Sequence, residues 1–423
     1  GYGISRSPQS FRNFGHHINK FLKNKPIIFI IGEGREYSSS RTVTDLQDPV
    51  NESFHVPTWG APGSDNLLLG KSKTENYPIF PIGRLAVTNA EDIKTYLAKV
   101  KDSESQTNNN QTITDRAWMK NMIHLGGGGP AEQAIIKTYI NDLKYIVEKS
   151  TYGPNVNSYF KTSTDPIQIS QSDLILKRIN DGVSVITFFG HAAIGTFDFS
   201  IDNLGSYKNK NKYPFIMSLG CYSGNIHNNI RGIGKRFVFE KDAGGLSFGA
   251  TSGQGYIYPL YLLAKNFYIA LGDSLYGKTL GEQLQFALKK TDNNLSFDVY
   301  TLTQQFNLLG DPATKLYPAV GPDYLVDNTS IKFDPNVITT QQDSFRVSFS
   351  VQNIGSRAKD SMDVELIREF PDGSKTLAHS VRILSPGYAD IYTVSLPIGG
   401  KKSNGLNKIY IKVDSKNEII ELP

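Results

Sequence analysis

The feature that most constrains the fold is a change in the periodicity of apolar residues along the chain. Up to residue 322, unbroken apolar runs such as Ile27–Ile31, Val183–Gly190 and Phe215–Leu219 alternate with segments of helical periodicity. Continuous apolar runs of this kind are typical of parallel strands that are covered on both faces. Strands that alternate with helices predict an α/β fold built on a largely parallel sheet with flanking helices.

A different pattern begins at Asp323. Segments such as Ser344–Val351 and Lys408–Val413 alternate apolar and polar residues, and turn sequences rich in Gly, Pro, Asp and Asn separate them. Short alternating strands with such turns predict an antiparallel β-sandwich. We therefore expect three parts, an N-terminal α/β subdomain at 1–110, a second α/β subdomain at 111–322 and a β-sandwich at 323–423.

Composition excludes several classes of protein. The formal net charge is only +5 and no run of four or more basic residues occurs, so we expect no nucleic-acid partner. One cysteine cannot form an intrachain disulfide, and the longest apolar runs are far shorter than the roughly 18 residues of a membrane-spanning helix. The sequence starts at Gly1 without a methionine, and we expect it to be a piece of a longer chain.

The lone cysteine, Cys221, directly follows the apolar run Tyr213–Leu219. His191 directly follows the apolar run Val183–Gly190 in the same way, and it lies 30 residues before Cys221. In open α/β sheets the carboxyl ends of the strands form ligand and catalytic crevices, so adjacent strands would bring both side chains to one crevice. An imidazole within reach can activate a thiol as a nucleophile. Position alone favours a small buried core residue for Cys221, and His191 alone could be a core histidine, but the two positions together favour a Cys-His pair.

The blocks around these two residues resemble the gingipain-type cysteine peptidases, which have a caspase-like fold. The resemblance rests on Phe-Phe-Gly-His-Ala at His191 and Ser-Leu-Gly-Cys-Tyr-Ser-Gly at Cys221, with supporting blocks at 81–85, 244–248 and 308–312. It covers about residues 15–317, and the trailing sandwich is similar to the family's immunoglobulin-like module. Within the family, the blocks look most similar to surface-exposed proteins of the type IX secretion system of Bacteroidota, including PorU-type sortases.

The resemblance implies a set of roles for residues of this chain. Cys221 would be the nucleophile and His191 the proton carrier, and the backbone N–H groups of Cys221 and Ala192 would hold the oxyanion. The family's orienting acid has no counterpart in Gly-Gly-Gly-Pro at 127–130. Glu132 or Asp198 could substitute, or the site could work as a dyad, although carboxylates at helix starts and in loops are ordinarily solvated.

The family's acidic residue for arginine specificity also has no clear counterpart, so we do not expect Arg cleavage. The residues near the site by sequence are Tyr222, Tyr256, Ser252 and Gln254, which predict a neutral pocket for apolar or small polar side chains. No metal site or required cofactor is expected from the spacing of His and Cys. Family members bind calcium, which leaves structural calcium open, but the only candidate is Asp65 beside Ser64 and no acidic calcium loop is present.

These observations predict a cysteine peptidase or a sortase-like acyl transferase with a polypeptide substrate. Water would accept the acyl group in the first case and an amine in the second, and the sequence does not separate them. The resemblance implies a secreted or outer-membrane-associated protein at the cell surface, linked to type IX secretion. The alternative is a weak or inactive gingipain-like scaffold that docks on an outer-membrane secretion partner, which the missing acid favours and the retained Cys and His oppose.

Overall fold

The structure, a computed structural model, describes residues 7–36, 56, 58–70, 76–108, 112–161, 169–228, 230–292, 296–339 and 341–422. The chain divides into two compact units. The first consists of Gly1–Val147 and Val156–Tyr317, and the second of Glu148–Asn155 and Pro318–Pro423. Among the described residues, no helix is both long enough and apolar enough to cross a membrane.

The first unit contains an eight-stranded sheet. Its strands are β1 (Ile28–Ile31), β2 (Ile82–Leu85), β3 (Asn121–Gly126), β4 (Asn155–Phe160), β5 (Val185–Phe189), β6 (Phe215–Leu219), β7 (Ser247–Thr251) and β8 (Phe306–Leu309). The spatial order is β1-β2-β8-β7-β6-β5-β3-β4. Neighbours β3, β5, β6 and β7 are parallel, as are β1, β2 and β8, and the two groups meet at the antiparallel β7–β8 pair. The largely parallel sheet expected from the sequence is confirmed.

Helices connect these strands. They are α1 (Pro8–Phe21), α2 (Ala90–Asn108), α3 (Ile113–Ala117), α4 (Gln133–Glu148), α5 (Ile169–Asp181), α6 (Ile233–Phe239), α7 (Ile257–Ile269), α8 (Leu280–Thr291) and α9 (Phe297–Gln305). Helix α8 begins with a capping box in which Thr279 accepts from the Glu282 amide and Glu282 accepts from the Thr279 amide. A capping box of this kind satisfies backbone N–H groups at the start of a helix that have no partner within it.

The central strands explain why the sheet sits in the middle of the unit. Every residue of β5 and of β6 is buried. A strand that is apolar on both faces must be covered on both, which is the arrangement of a sheet with helical layers. The strands pair in register, with Val185 opposite Phe215 and Phe189 opposite Leu219. Their carboxyl ends therefore stop side by side at one edge of the sheet.

Strand β3 begins later than the sequence pattern indicates. The segment Trp118–His124 has the apolar character of a strand, but residues Trp118–Lys120 form a 3₁₀ turn and the strand begins at Asn121. Trp118 packs edge-on against Tyr317 with ring centroids 4.7 Å apart. Its burial therefore reflects aromatic packing outside the sheet, which an apolar run alone does not distinguish from a strand.

The second unit is built from antiparallel strands. These are β9 (Tyr324–Val326), β10 (Lys332–Asp334), β11 (Ser344–Asn353), β12 (Ser361–Glu369), β13 (Lys375–Leu384), β14 (Ala389–Pro397) and β15 (Lys408–Val413). One sheet has the order β10-β11-β14, with β9 also paired to β11, and the other has the order β13-β12-β15. Alternate residues of β11 and β12 enter one shared apolar core. The predicted β-sandwich is confirmed, and its immunoglobulin-like character stays a prediction.

A buried ion pair ties β2 to the segment 58–70. Arg84 is fully buried, and its guanidinium donates to both carboxylate oxygens of Asp65, at 2.7 Å from Nη2 to Oδ1 and 2.8 Å from Nε to Oδ2. Burial alone would raise the pKa of the Asp65 carboxyl, but the adjacent guanidinium outweighs this and holds that pKa below its usual value. Asp65 is therefore ionised and paired inside the protein.

We predict that Arg84→Met destabilises the first unit by about 3–5 kcal/mol, because it leaves the Asp65 carboxylate buried without its partner. The matched control is Lys177→Met, which breaks an exposed pair with Asp181 and is expected to cost less than about 1 kcal/mol. The free energy of unfolding in urea, followed by a probe in the first unit, measures both. Equal effects of the two variants would contradict the prediction.

The same pair predicts a pH dependence. Because folding lowers the pKa of Asp65, the paired carboxylate stabilises the fold above the ordinary carboxyl pKa of about 4 and loses that contribution as the pH falls through the lower folded value. The stability difference between the wild type and Arg84→Met should be full at neutral pH and shrink in acid. A difference that stays constant down to acid unfolding would contradict this assignment.

Candidate active site

Two residues follow β5 and β6 at the same distance from the strand ends. His191 lies two positions after Phe189, and Cys221 lies two positions after Leu219, the residue paired with Phe189. The ladder continues one step further, since the Gly190 amide donates to the Leu219 carbonyl at 3.2 Å. Neighbouring strands are spaced by about 4.8 Å, so the two residues leave the sheet side by side at its carboxyl edge.

Glycine at the two intervening positions makes this close approach sterically feasible. A Cβ atom on Gly220 would lie 2.6 Å from the Cβ of Ala192 and 2.9 Å from the Gly190 carbonyl oxygen. Real Cβ atoms do not approach other atoms so closely. Any larger residue at 220 would therefore push the histidine and cysteine loops apart.

The cysteine is partly buried and held by the loop that follows β7. The Gly255 amide donates to the Sγ atom of Cys221 at 3.4 Å, and the thiol in turn lies 3.6 Å from the Gly255 carbonyl oxygen. No role was predicted for Gly255 from the sequence. Its only sequence signal is the glycine pair flanking Gln254, which is typical of a tight turn.

The residue after the cysteine adopts an unusual backbone conformation. Tyr222 has φ of +56°, in the left-handed region that non-glycine residues rarely occupy. Its amide donates to the Gly253 carbonyl at 2.8 Å, and its carbonyl accepts from the Asn225 amide at 3.0 Å. The chain thus turns sharply immediately after Cys221, which keeps Cys221 close to the carboxyl end of β6.

Glu132 is the carboxylate that reaches the histidine. Its Oε2 atom lies 2.8 Å from Nε2 of His191 and also accepts from the Gly129 amide at 3.0 Å. A carboxylate can only accept, so the His191 Nε2 nitrogen carries the proton of this hydrogen bond. In the neutral imidazole this leaves the lone pair on Nδ1. The His191 side chain is 61% exposed and that of Glu132 33%, so the pair opens to solvent.

Asp198, the other acid considered from the sequence, has a different environment. Its Oδ2 atom accepts from the Gly128 amide at 2.7 Å and lies 3.8 Å from Nζ of Lys161. Among the described residues, its carboxylate makes no hydrogen bond or ion pair with His191. Its backbone amide, in contrast, donates to the His191 carbonyl at 2.9 Å. Glu132, and not Asp198, therefore contacts the imidazole.

The two backbone groups expected to hold an oxyanion lie at the strand ends. In the chain after β5, Ala192 lies opposite Phe197 in an antiparallel bridge. The hydrogen bonds of this bridge are donated by the amides of Ala193 and Asp198, and not by the amide of Ala192. Within the described part of the chain, no hydrogen bond is assigned to the amide of Ala192 or of Cys221. Both N–H groups are therefore available to an external acceptor.

The proposed pocket residues separate into two groups. Tyr222 and Tyr256 are 39% and 49% exposed, and the Tyr256 hydroxyl donates to the side-chain oxygen of exposed Gln254 at 3.3 Å. Ser252 is instead fully buried, and its hydroxyl donates to the Gly63 carbonyl at 2.6 Å. Ser252 therefore fixes the loop after β7 and does not line an open pocket, which leaves Tyr222, Tyr256 and Gln254 as the exposed members of the predicted pocket.

The structure gives no support to Asp65 as a calcium ligand. Both of its carboxylate oxygens accept from the buried Arg84 guanidinium, which would repel a cation at the same place. Among the described residues, no group of three or more His, Cys, Asp or Glu side chains is arranged to hold a metal ion. Asp65 therefore does not fit as a ligand of the calcium that the resemblance left open.

Comparison with known proteins agrees with this architecture. A family model described as peptidase family C25 matches residues 3–317. The chain is similar to the crystal structure of the Arg specific cysteine proteinase gingipain R (RGPB), with a TM-score of 0.58 at 14% identity over 98% of this chain and 86% of that one. The complex of the Porphyromonas gingivalis RgpB pro- and mature domains gives a TM-score of 0.57 at 14% identity, over 96% and 89% of the two chains.

A third solved structure is less similar. Dimeric latent PorU from Porphyromonas gingivalis gives a TM-score of 0.35 at 11% identity, over 96% of this chain and 36% of that one. No curated protein matches the sequence. The structural likenesses show the fold, and the family model covers most of the chain. The chain therefore belongs to peptidase family C25, the gingipain family of cysteine peptidases.

Proposed function

We propose that this chain is an active cysteine endopeptidase in which Cys221 is the nucleophile, His191 the general base and acid, and Glu132 the orienting acid. The observation that carries the proposal is the 2.8 Å contact between Glu132 Oε2 and His191 Nε2. It supplies the carboxylate that the sequence comparison with gingipains lacked. The same contact weighs against the inactive scaffold, since that hypothesis drew its support from the missing acid.

The proposed reaction is acyl transfer through a thioester. The Cys221 thiol gives its proton to Nδ1 of His191, and the thiolate attacks the peptide carbonyl carbon. Glu132 stabilises the imidazolium that forms, because its carboxylate faces the other ring nitrogen. The C–N bond then breaks, His191 protonates the leaving amine, and the acyl group stays on sulfur until a second nucleophile releases it.

The negative oxygen that develops in this step needs donors that are already in place. The amides of Cys221 and Ala192 suit this role, because they lie at the ends of adjacent strands and have no acceptor within the described part of the chain. Ala192 in place of glycine does not matter for this purpose, since the main chain donates. The sharp turn at Tyr222 keeps the segment fixed, so the donors do not have to reorganise.

The acyl-enzyme can be released by water or by an amine, and we keep sortase-like transfer as a finer form of the proposal. Release by an amine requires the same thioester and an acceptor that outcompetes water. Adding a glycine-based amine during cleavage of a peptide measures the partition. Ligated product would support transfer, and purely hydrolytic product at high amine concentration would exclude it.

We also propose that the protein acts at the cell surface or outside the cell, linked to type IX secretion, with the sandwich as the surface that meets an outer-membrane partner. The support is the family resemblance. Fractionation of cells that make the protein, with and without a working type IX system, tests it. Retention inside cells in both cases would exclude this localisation.

We predict that Cys221→Ala abolishes cleavage of an unfolded protein substrate such as casein, and that Glu132→Gln slows it by about a hundredfold, because the imidazolium loses its charge partner. The matched control is Glu91→Gln, which changes an exposed carboxylate in the first turn of α2. Release of labelled peptides measures all three rates. Full activity in Glu132→Gln would remove Glu132 from the catalytic system.

We further predict little cleavage after Arg or Lys. A buried cation in the pocket needs a carboxylate partner, since an unpaired buried charge costs several kcal/mol. Tyr222 follows Cys221, Tyr256 and Gln254 flank Gly255, whose backbone contacts the thiol, and all three are exposed and neutral, which favours apolar or small polar residues at the cleavage position. Fluorogenic peptides ending in Arg, Lys, Phe, Leu or Ala test this. Robust turnover of the basic peptides, abolished by Cys221→Ala, would contradict the prediction.

A further inference from the structure

Asp198 joins the two segments that hold His191 and Glu132. Its backbone amide donates to the His191 carbonyl at 2.9 Å, on the histidine loop. Its Oδ2 atom accepts from the Gly128 amide at 2.7 Å, on the loop that precedes Glu132. One residue therefore fixes both partners of the 2.8 Å hydrogen bond between Glu132 and His191, without touching either functional group.

The loop before Glu132 needs such an anchor because it consists of consecutive glycines, residues 127–129. Glycine has more conformational freedom than any other residue, and Gly128 adopts φ of +91°. The Gly127 amide is held by the Phe189 carbonyl at 2.8 Å, and the Gly129 amide by Glu132 itself. Between these two, the Gly128 amide has the Asp198 carboxylate as its acceptor.

The surrounding glycines are shaped to admit this carboxylate. A Cβ on Gly127 would collide with Oδ1 of Asp198, and one on Gly190 would lie 2.7 Å from the same atom. Oδ1 is buried and has no hydrogen-bond partner among the described residues. A buried carboxylate oxygen without a hydrogen bond is energetically unfavourable, so the other contacts of Asp198 must hold it there. These are the hydrogen bond from the Gly128 amide and the ion pair with Lys161.

We propose that Asp198 is a positioning residue of the active site. By holding Gly128, it sets the place of Glu132 and so the geometry of the hydrogen bond to His191. This inference rests on the proposed function, in which Glu132 activates the Cys-His pair. It differs from the earlier alternative in which Asp198 itself orients the imidazole, because its effect must pass through Glu132.

The test is the rate at which iodoacetamide alkylates Cys221 at pH 6.5, measured by mass spectrometry. The chain has one cysteine, so no other thiol contributes. The compared proteins are the wild type, Glu132→Gln, Asp198→Ala, Asp198→Asn and the double variant Glu132→Gln with Asp198→Ala. Asp202→Asn is the control, because Asp202 follows Asp198 in the chain and, among the described residues, its carboxylate accepts from Thr196 and makes no hydrogen bond or ion pair with His191 or Glu132.

We expect Glu132→Gln and Asp198→Ala each to slow alkylation by about tenfold, since a small displacement of a catalytic group has effects of this size or larger. The double variant should be no slower than Glu132→Gln alone, as expected for two residues that act through one contact. Asp198→Asn should stay near the wild-type rate, because its amide oxygen can still accept from Gly128. It also serves as the folded comparison if Asp198→Ala loses stability.

Several results would overturn the inference while leaving the proposed function standing. One is slow alkylation of Glu132→Gln together with a wild-type alkylation rate in Asp198→Ala. Another is a double variant whose rate falls by the product of the two single effects. The third is an alkylation rate in Asp198→Asn that is as slow as in Asp198→Ala. The last result would show that the charge of Asp198 acts directly. An unchanged Glu132→Gln would instead refute Glu132 as the orienting acid, and a slow Asp198→Ala beside it would also refute action through Glu132.

Discussion

The site depends on the close approach of two strand ends, β5 and β6. Their backbones remain hydrogen-bonded at the strand ends, through the Gly190 amide and the Leu219 carbonyl, and His191 and Cys221 each lie two positions after the last residue of their strand. The approach is possible because position 220 has no side chain, as a Cβ there would collide with Ala192. The buried β5–β6 pair fixes this edge of the sheet, and every later element of the site is placed relative to it.

Around this edge, three segments contact or position the thiol and the imidazole. The loop after β3 brings Glu132 to His191, the loop after β7 brings the Gly255 amide to Cys221, and the chain turns sharply at Tyr222, after Cys221. Each loop is rich in glycine at the point where it comes close to another backbone. The chemistry is thus built from loops on a rigid sheet, which is the usual division of labour in α/β enzymes.

The sequence could predict the strands and place Cys221 and His191 at one edge of the sheet, but it could not choose the carboxylate that contacts His191. Short continuous apolar runs such as Phe215–Leu219 favour a buried strand, and a parallel sheet then aligns their carboxyl ends. Glu132 was one of two candidates, because its contact depends on the path of three glycines, whose conformation leaves no pattern in the sequence. Burial of Ser252 and the 3₁₀ turn at Trp118 were missed for a related reason, since both follow from tertiary packing.

If the fold activates Cys221 as a nucleophile, the thiol reacts with iodoacetamide at a pH where a free thiol is nearly unreactive, and the pH profile of this reaction shows it. The rate is measured from pH 5 to 9 on the folded protein, on His191→Ala and on the wild type unfolded in denaturant. We predict rapid reaction of the folded wild type well below the free-thiol pKa of about 8.5, and loss of that reaction in His191→Ala and in the unfolded protein. A folded wild type whose profile coincides with that of the unfolded chain would contradict it.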